Sequence, residues 1–148
     1  MPILKEPGET IEILMIEDGE GDARLAKESF AAASIPNQLT VVGDGLEAIR
    51  YLRQEGPYAQ AVRPDLILLD LNLPRKSGHE ILREIKEDIS LRRIPVAVIT
   101  SSPVEEDITT SYDLYANCCI AKPINAHQLR KVLHAFFPVR VVKASDSR

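Results

Sequence analysis

The sequence predicts an α/β protein, a doubly wound parallel sheet with helices on both faces. Three observations carry that expectation. Five short apolar runs recur along the 148 residues, with helix-period segments between them. The runs are rich in Ile, Val and Leu, the composition of strands covered on both faces. The residues best suited to chemistry follow directly after the runs, at what would be one edge of the sheet.

The first run, Ile11–Ile16 (IEILMI), is broken only by Glu12. Residues 20–33 follow, with Leu25, Ala26, Ser29, Phe30 and Ala33 near the period of one helix face. The second strand is expected at 39–42. Asp44 and Glu47 then have the form of a capping box, opening a helix through Gln54 with Leu46, Ile49 and Leu52 along it. Residues 56–64 read as a loop with two prolines. The third strand is 66–69 (LILL), between Asp65 and Asp70. Residues 78–88 place Ile81, Leu82 and Ile85 on one stripe, and Pro95 leads into a fourth strand at 96–99. Val104, Ile108, Tyr112 and Tyr115 mark a further helix before the short fifth run, Cys118–Ala121. Asn125 and Gln128 form another cap, opening a helix to about residue 137. Strand–helix alternation requires crossover connections, and their right-handedness restricts the winding. The flavodoxin-like (βα)5 order 2-1-3-4-5 is one standard solution.

At this length one domain is expected. Residues 1–10 read as an N-terminal arm, 11–137 as the domain, and 138–148 as a C-terminal tail that Pro138 separates from the last helix. Eighteen basic against 22 acidic residues, a net charge of −4, argue against nucleic-acid binding. No apolar stretch approaches the about 20 residues of a membrane span. The N-terminus lacks a basic, cleavable leader pattern. The two cysteines are adjacent, neither a disulfide framework nor a metal motif, and a cytoplasmic setting is expected.

Strand one ends in Glu17 and Asp18, strand three in Asp70, strand four in Thr100, and strand five in Lys122. Neighbouring strands lie about 4.8 Å apart, so three carboxylates would crowd one edge. Such crowding is relieved by a hard divalent cation, and Mg²⁺ takes oxygen ligands and shares them with phosphate. With Lys122, the cation would stabilise charge on a phosphoryl group. Asp70 is then a candidate nucleophile forming an aspartyl phosphate. Each piece alone has a plain reading as a solvated turn, strand end or surface lysine; the conjunction carries the inference.

The motifs IEILMIED, LILLDLNLPRKSG, VAVITSS and AKP, in this order and spacing, resemble the receiver domain of bacterial two-component response regulators. The resemblance covers about residues 11–137. It implies that Asp70 is the phosphoacceptor and that Glu17 and Asp18 position Mg²⁺. It implies that the backbone carbonyl of Asn72 completes the metal site, that Thr100 is the hydroxyl switch and that Lys122 is the family's lysine, followed by Pro123. Pro74 and Gly78 match the loop after the acceptor strand. Where the family usually places Tyr or Phe as a second switch, this chain has Cys119, so an output read through an aromatic flip is not expected. The family resemblance implies a signalling domain, not an enzyme acting on metabolites, with a sensor histidine kinase as donor. Within the family the chain looks like the small stand-alone regulators of cyanobacterial phytochrome kinases, which implies a light-sensing kinase, a homodimer and a downstream protein partner.

The apolar tail, with Phe136, Phe137, Val139 and Val141, is a candidate self-association surface. His79, His127 and His134 read as surface or helix-packing residues, and Arg75 and Lys76 as loop charges that could also bias kinase docking. Cys118 and Cys119 would point to opposite faces, as small buried side chains rather than a redox pair. Three alternatives stay open: a degenerate receiver acting as a constitutive interaction module, an aspartyl-nucleophile phosphatase, and a nucleotide or flavin binder. Asn72 stands where such a phosphatase needs an acid, and the acidic turn at 17–22 would repel an unaccompanied phosphate.

Overall fold

A computed structural model describes residues 10–32, 36–71, 73, 76–100, 118–121 and 124–136. Its strands are β1 (Ile11–Ile16), β2 (Asn37–Val42), β3 (Leu66–Asp70), β4 (Val96–Thr100) and β5 (Cys118–Ala121). Its helices are α1 (Glu20–Ala31), α2 (Gly45–Leu52), α3 (Gly78–Glu87) and α4 (Ala126–Phe136). The strands form one parallel sheet in the order β2-β1-β3-β4-β5, as expected. The helix expected around Val104, Ile108, Tyr112 and Tyr115 lies outside the described residues, as do the tail and nearly all of the arm.

Successive strand residues face opposite sides, and the core divides accordingly. Leu14 and Ile16 of β1, with Ile67 and Leu69 of β3, pack with Ile49 of α2 and Ile81, Leu82 and Ile85 of α3. Ile13 and Met15, with Leu66 and Leu68, pack with Phe30 of α1 and Leu129 and Leu133 of α4. Each such side chain contributes about 1.5–3 kcal/mol on burial. β1, β3 and β4 are therefore covered on both faces.

β2 departs from that expectation. Its residues are half-buried, with Gln38 exposed, because β2 is an edge strand with a neighbour on one side only. In α2 the buried stripe is Gly45, Ala48, Ile49 and Leu52, while Leu46 stands 43% exposed. The helix is turned so that Gly45 faces α3: a Cβ there would lie 2.7 Å from Ile81 Cδ1. The helix stops at Leu52 and not at Gln54, whose φ of 56° lies in the left-handed region. The loop expected at 56–64 begins with a 3-10 turn, Gly56–Tyr58.

The caps position the helices over the sheet edge. Asp44 accepts from the amides of Leu46 and Glu47. Asn125 Oδ1 accepts from Gln128 N at 2.9 Å and Gln128 Oε1 from Asn125 N at 3.1 Å, the reciprocal pair read from the sequence. α3 carries a full capping box between Ser77 and Glu80, an S-x-x-E pattern in the sequence.

Candidate functional site

The carboxyl edge of the sheet is where β1, β3 and β4 deliver their last side chains. Ile16 pairs with Leu69, so Glu17, one residue on, lies beside Asp70. The amide of Glu17 donates to Val42 O at 3.0 Å, which extends the β1 pairing one residue past the strand. Gly43, at the end of β2, closes over this turn; a Cβ there would lie 3.6 Å from Glu17 O. β3 and β4 each run one residue longer than expected, so Asp70 and Thr100 are terminal strand residues and not the first residues of a turn. Asp70 pairs with Ile99, and Thr100 with Ala121.

Glu17, Asp18 and Asp70 come together as the sequence implies. Each offers a carboxylate oxygen, and the three oxygens lie within 4.8 Å of one another. Glu17 and Asp70 are buried, at 3% and 2% exposure, whereas Asp18 is exposed. Glu17 Oε2 accepts from the amide of Gly19 at 3.0 Å, which orients its carboxylate within the turn. Three carboxylates so placed, two of them shielded from water, repel strongly, and an all-oxygen donor set open on one side fits a hard divalent cation. Thr100 is 1% exposed at the end of the adjoining strand. Asn72, Lys122, Pro74 and Pro123 lie outside the described residues.

The far side of the site is built by the start of α3. Gly78 N donates to Leu71 O at 3.1 Å, folding the chain back on the end of β3. A Cβ at Gly78 would fall 2.5 Å from both Asp70 O and Leu71 Cα, so the helix start rests on the end of β3. Lys76, read from the sequence as a solvated loop charge, is instead held in an ion pair with Glu84 at 2.6 Å. Arg75 lies outside the described residues.

Cys119 is half-buried against the α2–α3 side of the core and pairs with Val98. Its setting accords with a small packing side chain. Phe136 is half-buried against the opposite core cluster, and Phe137, Val139 and Val141 lie outside the described residues. His127 and His134 are exposed on α4; His79 is half-buried, with Nε2 enclosed and without a hydrogen-bond partner. No helix among the described residues is long and apolar enough to cross a membrane.

Comparison with known proteins gives the chain's relatives. The model of the response regulator receiver domain matches residues 13–134. Response regulator Rcp1 of Synechocystis sp. is 46% identical over 121 residues, covering 82% of each chain. The crystal structure of the phosphorylated cyanobacterial phytochrome response regulator RcpA superposes with a TM-score of 0.78 at 48% identity, covering 86% of this chain and 94% of that one. The crystal structure of the Mn²⁺-bound form of Rcp1 gives 0.74 at 43% identity, covering 85% and 93%.

Proposed function

This chain belongs to the response regulator receiver domain family, and on that premise we propose that it takes a phosphoryl group on Asp70 from a histidine kinase and signals by protein–protein contact. The observation that carries the reading is the buried carboxylate of Asp70 at the end of β3, with carboxylate oxygens of Glu17 and Asp18 within 4.8 Å. A carboxylate so shielded is a nucleophile that bulk water does not cover. Its oxygen attacks phosphorus, the phosphorus–nitrogen bond of the kinase phosphohistidine breaks, and the departing imidazole nitrogen keeps the bonding pair and takes up a proton. The product is an acyl phosphate on Asp70.

Glu17, Asp18, Asp70 and the carbonyl of Asn72 would hold Mg²⁺. The cation, when bound, offsets the carboxylate charge and that of the incoming phosphoryl group. Lys122 and Thr100 take the roles of phosphoryl ligand and switch hydroxyl. The relatives support the metal: Rcp1 has been solved with Mn²⁺ bound, and a receiver domain of a Pseudomonas aeruginosa sensor kinase with magnesium in its active-site cleft. They also support a phytochrome-type kinase as donor, since RcpA is described as a phytochrome response regulator. With Cys119 in place of an aromatic, Thr100 would act on the output face without a second side-chain flip. Self-association through Phe136, Phe137, Val139 and Val141 completes the reading. Sedimentation of a chain cut after His134 checks it, since an unchanged assembly state refutes that surface.

Intact mass after incubation with acetyl phosphate and Mg²⁺ tests the central claim. One phosphoryl adduct is expected on the wild type and none on Asp70→Asn. An adduct that persists in the variant refutes Asp70 as acceptor, and none on either protein makes the chain a constitutive interaction module.

A further inference from the structure

Lys76 and Glu84 connect the acceptor loop to the α2–α3 junction. Lys76 lies two residues before Gly78, in the segment that Gly78 N and Leu71 O close at its base. Its main chain is pressed from the other side by α2, since a Cβ at Gly45 would lie 3.3 Å from Lys76 O. Its ammonium is held on α3, at Glu84 Oε1, 2.6 Å away. The other oxygen of Glu84 faces Arg53 Nη2 at 3.5 Å, and Arg53 Nε faces Asp88 Oδ2 at 3.4 Å. Asp88 is itself anchored, its Oδ1 accepting from Ser90 N at 2.8 Å and Ser90 Oγ at 2.7 Å. Four alternating charges thus run from the acceptor loop to the end of α3, and Lys76 and Glu84 are the most enclosed pair, at 25% and 29% exposure.

We propose that Glu84 is a positioning residue for phosphoryl transfer: it holds the Lys76 ammonium off the acceptor and so limits the positive charge offered to the incoming phosphoryl group. The proposal rests on Asp70 being the acceptor. Lys76 belongs to the segment that begins next to Asp70, and its side chain is long and flexible. Released from Glu84, it becomes a mobile cation on the loop beside a site built of three carboxylates. Such a charge attracts an anionic donor and opposes a bound dication. Loss of Lys76 alone leaves Glu84 still compensated by Arg53.

The test compares Glu84→Gln, Lys76→Met, the double variant and Glu87→Gln. Glu87 is exposed on the same helix and outside the network, so its variant controls for net charge. Phosphorylation by acetyl phosphate, whose phosphoryl group passes to the chain as acetate leaves, is followed by intact mass. Glu84→Gln should be labelled about two- to fivefold faster, the effect of one partly screened charge. The gain should vanish in the double variant and be absent in Lys76→Met and Glu87→Gln. An unchanged Glu84→Gln rate, a gain that survives without Lys76, or an equal gain in Glu87→Gln overturns the proposal while leaving Asp70 as acceptor. Calorimetric Mg²⁺ titration gives a readout independent of transfer. If the wild type takes no label, the acceptor reading fails, and a Lys76-dependent loss of Mg²⁺ affinity in Glu84→Gln still supports the positioning role. Unaltered affinity overturns it.

Discussion

Gly78 lies against the main chain of Asp70 so closely that a Cβ would meet the Asp70 carbonyl oxygen at 2.5 Å. The atoms it would strike are backbone, so no rotamer change relieves the clash. Gly78→Ala therefore has to push the start of α3 away from β3. The expected cost is that of an overpacked core site, about 1–3 kcal/mol. Urea denaturation measures it, and acceptor reactivity should fall with it because α3 frames the site. A variant as stable as the wild type would mean that the helix start moves freely there.

The three carboxylates make a second prediction. Without a divalent cation their mutual repulsion destabilises the fold, so Asp70→Asn should melt higher than the wild type in chelator. Mg²⁺ binds the native site and not the unfolded chain, and at ten times its Kd it adds about 1.4 kcal/mol. The wild type should thus gain thermal stability on adding Mg²⁺, and Asp70→Asn should gain much less. Equal gains in both proteins would place the cation elsewhere.

The same carboxylates show how far the sequence could be read. Glu17, Asp18 and Asp70 were legible because each follows an apolar run, and a parallel sheet gathers such ends at one edge. The caps at Asp44 and Asn125 were legible because they are local. The exposure of β2 is not written in its own residues; it follows only from the order 2-1-3-4-5, which leaves that strand one neighbour. The exposure of Leu46 was not legible either, because the rotation of α2 depends on Gly45 meeting Ile81, a contact between separate helices. The Lys76–Glu84 pair was hidden for a like reason: it joins a residue before α3 to one inside the helix, which spacing alone does not supply.

Asp88 predicts an acid limb in the stability profile. The Ser90 hydroxyl, then the Ser90 amide and Arg53, hold its carboxyl below the ordinary aspartate range. A depressed folded value stabilises the native state above the unfolded value and is lost as pH falls through the folded one. Ser90→Ala should therefore lower the urea midpoint at pH 7, and its deficit should shrink well below about pH 4, where the unfolded carboxyl is protonated. A deficit that persists undiminished into strong acid would assign it to the turn's packing instead.

Tyr58 makes the opposite prediction at the alkaline end. Its hydroxyl donates to Glu47 Oε1 at 2.8 Å, while the other Glu47 oxygen holds Arg50 at 3.1 Å. The hydrogen bond to the carboxylate, reinforced by burial and by the charge of Glu47, raises the phenol above its usual range. A phenol that can only donate while protonated stabilises the fold fully below the unfolded value near about 10, and loses that contribution as pH rises through the folded one. Tyr58→Phe keeps the ring, which sits 5.5 Å from that of Tyr51, so the variant isolates the hydroxyl. Its cost at pH 7 should be about 1 kcal/mol, that of one hydrogen bond between the 3-10 turn and α2. Above the folded value the wild type carries a phenolate facing a carboxylate, and the variant should then match or exceed it in stability. Denaturation at pH 7 and in strong alkali checks the crossing, and a variant as stable as the wild type at pH 7 would show that the ring, not the hydroxyl, ties the turn to the helix.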